Sequence, residues 1–252
     1  MRGLAGLGVL LSGGTSGIGA AAARMFLEEG SRVFVGGLGT DEVDATIADL
    51  AGLGAIDGLA GDVSREDDVA ALLAAAEASL GGIDVLINNA GIATRGAFVD
   101  IDAAAWDRTI AVNLRGMFLV ARAAARHMLA REPSGGVIVN MASTNALGGE
   151  EDFAHYNASK GGVLQLTRTM AVELGPLGIR VNCVCPGFID TPLNARLSTP
   201  EEMDVYARER IPLRRKGRAD EVAAAYAFLA SEEASFVHGE ALVVDGGQLA
   251  VM

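Results

Sequence analysis

Short β-like apolar runs alternate with longer, alanine-rich stretches of helical character along most of this 252-residue chain. The apolar runs are Val9–Leu11, Arg32–Val35, Ile56–Leu59, Val85–Ile87, Val137–Met141, Arg180–Cys185 and Ala241–Val244. Each stretch between them is long enough to carry a crossover helix. That alternation predicts an α/β fold: a doubly wound parallel sheet of about seven strands, built in both directions from its first strand, with helices on both faces. The segment 187–218, rich in proline and charge, has no obvious place in the scheme. It reads as a substrate lid or binding loop of short helices.

Composition narrows the class. With 50% hydrophobic residues, the chain is ample to bury one sheet covered on both faces, so a single domain over residues 1–252 is expected. Its apolar runs are broken well before the ~20 residues of a membrane span. The N-terminus shows no basic region followed by a long apolar stretch. A cytoplasmic protein without a membrane partner is expected. A net charge of −12 argues against nucleic acid as a partner. Cys183 and Cys185, one residue apart on a strand, share a face as small core hydrophobes, and no His/Cys cluster has metal-ligand spacing. Neither a disulfide nor a metal is predicted.

The first strand runs into Ser12-Gly13-Gly14-Thr15-Ser16-Gly17-Ile18-Gly19 and then the helical run Ala20–Glu29. In such a strand–turn–helix, Gly13 permits the tight turn, Gly17 lets backbone approach a pyrophosphate and Gly19 allows close helix–sheet packing. The exposed N–H groups and the helix dipole attract phosphate. The plain alternative is an ordinary turn in a chain with 33 glycines. A second pattern, Tyr156-Asn157-Ala158-Ser159-Lys160, places one of only two lysines four residues after a tyrosine. That spacing puts both side chains on one helix face, where an ammonium favours phenolate. Unperturbed Tyr titrates near ~10, too high for a base at neutral pH. Lowered by Lys160, Tyr156 becomes a general acid/base. A surface Tyr–Lys pair is the alternative.

Further motifs complete a set: Asn88-Asn89-Ala90-Gly91 after the fourth strand, Asn113 in a helix, Ser143 after the fifth strand, Cys185-Pro186-Gly187-Phe188-Ile189-Asp190-Thr191 after the sixth, and Asp245-Gly246-Gly247 near the end. In this order and at these intervals the chain resembles the short-chain dehydrogenase/reductase family, over essentially its whole length. The resemblance implies a Rossmann-like fold and hydride exchange between a nicotinamide cofactor and a carbonyl or alcohol. It implies that Ser143 bonds the substrate oxygen, Tyr156 exchanges the proton, Lys160 lowers the Tyr156 pKa and bonds the nicotinamide ribose, and Asn113 holds a water beside Lys160. It also implies cofactor contacts from Gly13, Thr15, Ser16, Gly17, Ile18 and Gly19. Asp62 and Val63 would lie at the adenine, Gly37, Asn89 and Gly91 along the adenosine ribose, and Pro186, Gly187, Ile189 and Thr191 at the nicotinamide. Asp62 alternatively caps the helix beginning near Ser64. Asp84 reads as structural.

The chain departs from the family pattern at Gly37, where an NAD enzyme places Asp or Glu to accept from the ribose hydroxyls. No Arg or Lys stands at Ser16 or Leu38, the usual NADP markers. Loss of a carboxylate removes repulsion of a 2′-phosphate, and Ser16, Gly37, Gly39 and Thr40 offer donors. This tilts the reading of NAD(P) toward NADP.

For the substrate, the loop Asn145–His155 lies between Ser143 and Tyr156 at the mouth of the site, and Arg95, Asn145, Glu151 and Phe153 are candidate contacts. An acid of Glu150–Asp152 facing inward favours a sugar or polyol and repels carboxylates; otherwise these acids form a solvated tip. A small secondary alcohol or carbonyl, cyclic or sugar-like, is the favoured substrate. One alternative is a ketoreductase of carrier-bound 3-oxoacyl thioesters, docked through Arg122, Arg126 and Arg131. Another is a non-catalytic NAD(P) sensor. The basic run Arg214–Arg218 reads as a loop paired with acids. A homotetramer is expected, with Ala241–Met252 near a subunit interface.

Overall fold

The computed structural model describes residues 1–251. Seven strands form one parallel sheet in the order β3-β2-β1-β4-β5-β6-β7. They are β1 (Gly8–Ser12), β2 (Arg32–Gly37), β3 (Ile56–Ala60), β4 (Val85–Asn88), β5 (Gly136–Met141), β6 (Ile179–Pro186) and β7 (Ala241–Val244). All seven expected strands are present, each within a few residues of its apolar run. The helices between them are α1 (Gly17–Glu28), α2 (Thr40–Leu50), α3 (Glu66–Leu80), α4 (Ala103–Ile110), α5 (Met117–Ala130) and α6 (Ala154–Leu174). Beyond β6 come α7 (Pro192–Ala195), α8 (Pro200–Arg210) and α9 (Ala219–Ala230). No helix of the described residues is long and apolar enough to cross a membrane.

Side chains alternate across the sheet and build two cores. Val9, Leu11, Val33, Val35, Val85, Ile87, Val137 and Val139 pack toward α1 and α9, while Leu10, Phe34, Leu86 and Ile138 pack toward α3 and α5. Because both faces are buried, the strands read as continuous apolar runs. Cys183 and Cys185 fall in the first core, buried and unpaired with each other.

Where β1, β4 and β5 end, the pattern changes from apolar to polar without becoming exposed. Register sets Ser12 beside Asn88 and Asn88 beside Asn140. Ser12 Oγ donates to Asn88 Oδ1 (3.0 Å), Asn88 Nδ2 to Met117 O (2.8 Å) and Asn140 Oδ1 (3.3 Å), and Asn140 Nδ2 to Thr167 Oγ1 (3.0 Å). None of the four side chains reaches water appreciably. Ser12 Oγ also accepts the N–H groups of Asn89 and Ala90, which fixes the turn after β4.

The opposite end of the sheet is structural. Asp84 accepts from Gly8 N (2.7 Å) and from Arg131 Nη1 (2.8 Å), and Arg180 donates to the last carbonyls of α9 at Leu229, Ala230 and Ser231. Arg131 is thereby withdrawn from the carrier-docking patch. Arg122 lies 4.0 Å from Glu66 and over the Phe118 ring. The basic run Arg214–Arg218 is likewise engaged: Arg215 pairs with Glu221, Arg218 with Asp220, and Lys216 with both Asp190 and Asp204 at 3.4 Å.

Candidate active site

At the carboxyl ends of the strands, where the direction of winding reverses between β1 and β4, a cavity of about 610 Å³ opens. Gly13, Thr15, Ser16, Gly17, Ile18, Gly37, Asp62, Val63, Asn89, Gly91, Pro186, Gly187, Ile189 and Thr191 line it. Ser143, Tyr156, Lys160, Arg95, Asn145 and Phe153 line it too. Three of the residues singled out do not. Gly19 packs so closely on the Gly13 carbonyl that a Cβ would collide with it. Asn113 is buried beside the cavity, and Glu151 is exposed to solvent. Its neighbour Glu150 faces inward instead.

The turn after β1 is shaped to receive a phosphate-bearing group. Gly13 takes φ +66°, and a Cβ there would stand 2.8 Å from Ala90 Cα. Asn89 Nδ2 holds the Gly13 carbonyl at 2.8 Å. α1 then begins with no side-chain cap, since Ser16 accepts from none of its N–H groups. An uncapped helix N-terminus at a cavity wall leaves donors and a positive dipole end facing an anion. The residues present therefore fit a dinucleotide.

Gly37 tells a different story from its sequence reading. A Cβ at this position would stand 2.5 Å from Thr15 Cγ2 and 2.9 Å from Val43 Cγ2. The missing acid is a packing requirement, not an allowance for a 2′-phosphate. Nearby, Glu42 in the first turn of α2 lines the cavity, with its carboxyl carbon 3.7 Å from where a Cβ of Gly39 would sit. Asp62 both lines the cavity and organises the turn after β3: it accepts from Ser64 N (2.9 Å), Ser64 Oγ (2.6 Å) and Arg108 Nη1 (3.1 Å). Burial alone would raise its pKa, but these donors outweigh it and hold the carboxyl low.

Tyr156 and Lys160 stand one turn apart on α6, as their spacing requires. Lys160 is 2% exposed. Its ammonium lies 5.6 Å from the Tyr156 ring centroid and donates once, to Met141 O at the end of β5 (2.8 Å). Two of its three donors are left for a ligand. Burial pushes its pKa down to about 8. Burial likewise pushes the Tyr156 hydroxyl up to about 12, against a lowering bond from Ser143, with the Glu150 carboxylate adding to the rise. The expected lowering of Tyr156 by Lys160 is not met here, because the ammonium is drawn to Met141 and desolvation dominates.

Asn145 and Asn113 act through neighbours. Ser143 Oγ donates to Asn145 Oδ1 (3.1 Å) and accepts from Asn145 N (3.2 Å), while Asn145 Nδ2 donates to Glu150 Oε2 (3.0 Å) and Asn157 Oδ1 (2.7 Å). Asn145 thus aims Ser143 rather than standing free. Asn113 sits in a single π-helical turn, Ala111–Gly116, where its Nδ2 donates to Ile92 O (2.8 Å) and Ser159 Oγ (3.1 Å) and its Oδ1 accepts Ile92 N (2.8 Å). With both N–H groups committed, it pins the strand of backbone carrying Gly91. His155 is a packing residue, bonded to Thr94 Oγ1 at 2.7 Å. Sequence reasoning missed Glu42, Arg108, Arg196, Tyr206 and Gln248. Gln248 reaches back to donate to Tyr206 Oη (2.9 Å), which donates in turn to Glu150 Oε1 (3.4 Å), a contact no linear pattern announces.

The depressed Lys160 pKa carries a stability consequence. A lysine that titrates near 8 when folded and near 10.5 when unfolded costs stability while charged; the cost is full below pH 8 and fades as pH rises to about 10.5. Tyr156 acts oppositely, but only above its ordinary value of 10.0. Lys160→Met is therefore expected to be more stable than the parent at pH 7 by roughly 2 kcal/mol, after allowing for the orphaned Met141 carbonyl. Urea unfolding at pH 7 and pH 9.5 checks this: the advantage must shrink at the higher pH, and a Met variant less stable at pH 7 refutes the account.

A family model described as enoyl-(acyl carrier protein) reductase matches residues 13–248. The chain is 44% identical over 245 residues to a cis-4-hydroxycyclohexanecarboxylate dehydrogenase of Sinomonas cyclohexanicum, covering 96% of each protein. It is 38% identical over 239 residues to a 3-oxoacyl-(acyl-carrier-protein) reductase of Thermotoga maritima, covering 94% of this chain and 96% of that one. The crystal structure of a short-chain type dehydrogenase/reductase from Mycobacterium marinum superposes with a TM-score of 0.92 at 35% identity, over 97% of this chain and 96% of that one. Fold, ordered motifs and these likenesses agree: the chain belongs to the short-chain dehydrogenase/reductase family, as an oxidoreductase acting on CH–OH groups.

Proposed function

We propose that the protein interconverts a secondary alcohol and a ketone on a small, largely apolar, ring-sized substrate, with Ser143, Tyr156 and Lys160 as the catalytic residues. The carrying observation is their convergence in one cavity: Ser143 and Tyr156 line it together, and Lys160 lies one helical turn from Tyr156 with donors to spare. Ser143 orients the substrate oxygen, and Tyr156 holds the proton exchanged with it. Lys160 keeps a positive charge beneath the phenol and offers its free donors to a ribose. When bound, the nicotinamide supplies or accepts the hydride. The apolar lining of Phe153, Phe188, Leu193 and Leu197 suits a cyclic alcohol better than a sugar. The relative named for a hydroxylated cyclohexane ring supports the same choice.

Tyr156→Phe removes only the transferable proton and is expected to abolish turnover of cyclohexanol, followed by nicotinamide absorbance, with cofactor affinity nearly intact. Residual activity within about tenfold of the parent, a barrier change of only ~1.4 kcal/mol, sinks the assignment.

For the cofactor, Glu42 reverses the tilt toward NADP. Its carboxylate lines the cavity near Gly37 and Gly39, which supports a role in accepting from ribose hydroxyls and repelling a 2′-phosphate, and among the described residues Arg108, the cation lining that end, is paired with Asp62. We therefore favour NAD. Glu42→Gln is expected to narrow the NAD preference by roughly fivefold or more, in keeping with one exposed charge contact of about 1 kcal/mol. Titration of both cofactors into parent and variant reads the ratio directly; a ratio that stays put refutes the role of Glu42.

Assembly as a homotetramer in the cytoplasm is also proposed. Trp106, Phe118 and Val172 expose apolar surface on α4, α5 and α6, and Val243 and Val251 do so at the sheet edge and beyond; Met252 lies outside the described residues. Such surface favours burial between copies. Light scattering at micromolar concentration should return about four times the 25.8 kDa of one chain, and a mass near a single chain refutes it.

A further inference from the structure

Charges at the mouth of the cavity are not paired with one another. Arg95, on the loop after β4, and Arg196, just past α7, both line the cavity, and neither forms an ion pair among the described residues. Both side chains are exposed at the rim of the cavity, so their uncommitted donors are open to a ligand entering it. The two carboxylates on this wall are already engaged. Glu150 accepts from Asn145 Nδ2 and the Tyr206 hydroxyl, and Glu202 accepts Thr199 N at 2.8 Å in the capping box of α8.

Arg95 is also held in place. Its guanidinium stacks over the Phe153 ring, 5.6 Å from the centroid, and its Nη2 donates to Ser198 Oγ at 3.3 Å. Neither contact neutralises it. Ser198 is two residues from Arg196, so the loop after β4 and the lid meet where both arginines line the cavity. A planar guanidinium with spare donors beside an apolar wall suits a planar oxyanion, which it bonds in two places.

We propose that Arg95 and Arg196 form an anion subsite that selects substrates bearing a carboxylate on an apolar body, remote from the carbon that is oxidised or reduced. The inference rests on the oxidoreductase reading of Ser143 and Tyr156 and names the substrate class for that site. Glu150, beside Tyr156, enforces direction: it repels an anion at the reacting end, so the carboxylate turns to the arginines and the hydroxyl to Ser143. The sequence reading ties an inward acid to repulsion of carboxylates; Glu150 is that acid, and the subsite confines its repulsion to the reacting end while the arginines receive the carboxylate at the other.

Binding of two unreactive probes of equal shape tests it. Cyclohexanecarboxylate and cyclohexanecarboxamide are titrated by calorimetry into protein saturated with oxidised NAD, for the parent, Arg95→Gln, Arg196→Gln and the double variant. The parent should bind the carboxylate roughly tenfold more tightly than the amide, each single variant should lose several-fold of that preference, and the double variant should show none, with amide affinity unchanged. Equal affinities in the parent, no binding of the carboxylate at millimolar concentration, or a preference that survives in the double variant overturns the subsite. Unchanged cofactor affinity and thermal midpoint confirm that the variants are folded. Turnover of cyclohexanol, run in parallel, judges the catalytic reading separately, since its absence leaves the probe comparison intact.

Discussion

A line of buried hydrogen bonds from Ser12 through Asn88 and Asn140 to Thr167 underlies everything at the catalytic end. Parallel strands pair evenly along their length, so ladder bonds alone leave the relative height of three strand ends weakly defined. Side-chain amides matched in register define it, because any slip would leave a buried donor or acceptor unmet, at a cost of about 1–3 kcal/mol each. The turn that carries Asn89 to Gly91 hangs from Ser12, and the strand end that carries Ser143 hangs from Asn140. Groups that must meet at ångström precision thus sit on a floor that cannot shift by one residue.

Above that floor, the protein accepts an unfavourable burial. A lysine ammonium with a single backbone partner and a tyrosine hydroxyl far from its ordinary titration range are poor contributors to stability. They are tolerable because the surrounding α6 and β5 are fixed by two apolar cores. Lys160, with most of its donors unmet, is poised for a partner brought from outside. The site is organised around what it will bind rather than around itself.

Much of this was legible in the sequence. The seven strands were visible because burial on both faces removes the polar alternation that would blur them, and Tyr156 and Lys160 were visible because helical spacing alone brings them together. Other features depended on packing that no pattern encodes. Gly37 looked like a statement about a phosphate and is in fact a seat for Thr15 and Val43. Of three consecutive acids, only the first turns inward, through bonds to Asn145 and Tyr206 that lie 5 and 56 residues away. The resemblance alone gives Asn113 a role beside Lys160; that it sits in a π-turn with its amide on the Ile92 backbone is announced by no pattern. Arg196 and Gln248 belong to segments that meet the site only when the lid is folded.

Both lysines now have an address. Lys160 lies under the chemistry and is sealed from solvent, whereas the side chain of Lys216 is 21% exposed and fastens the lid through Asp190 and Asp204. Of the two lysines, Lys216 is the one whose amine meets solvent outside the cavity, and a dye attached there would report on the segment over the cavity without touching its floor. The same modification erases the charge that ties Ile189–Gly217 to α8. Covalent chemistry at a single peripheral amine would loosen the roof of the active site.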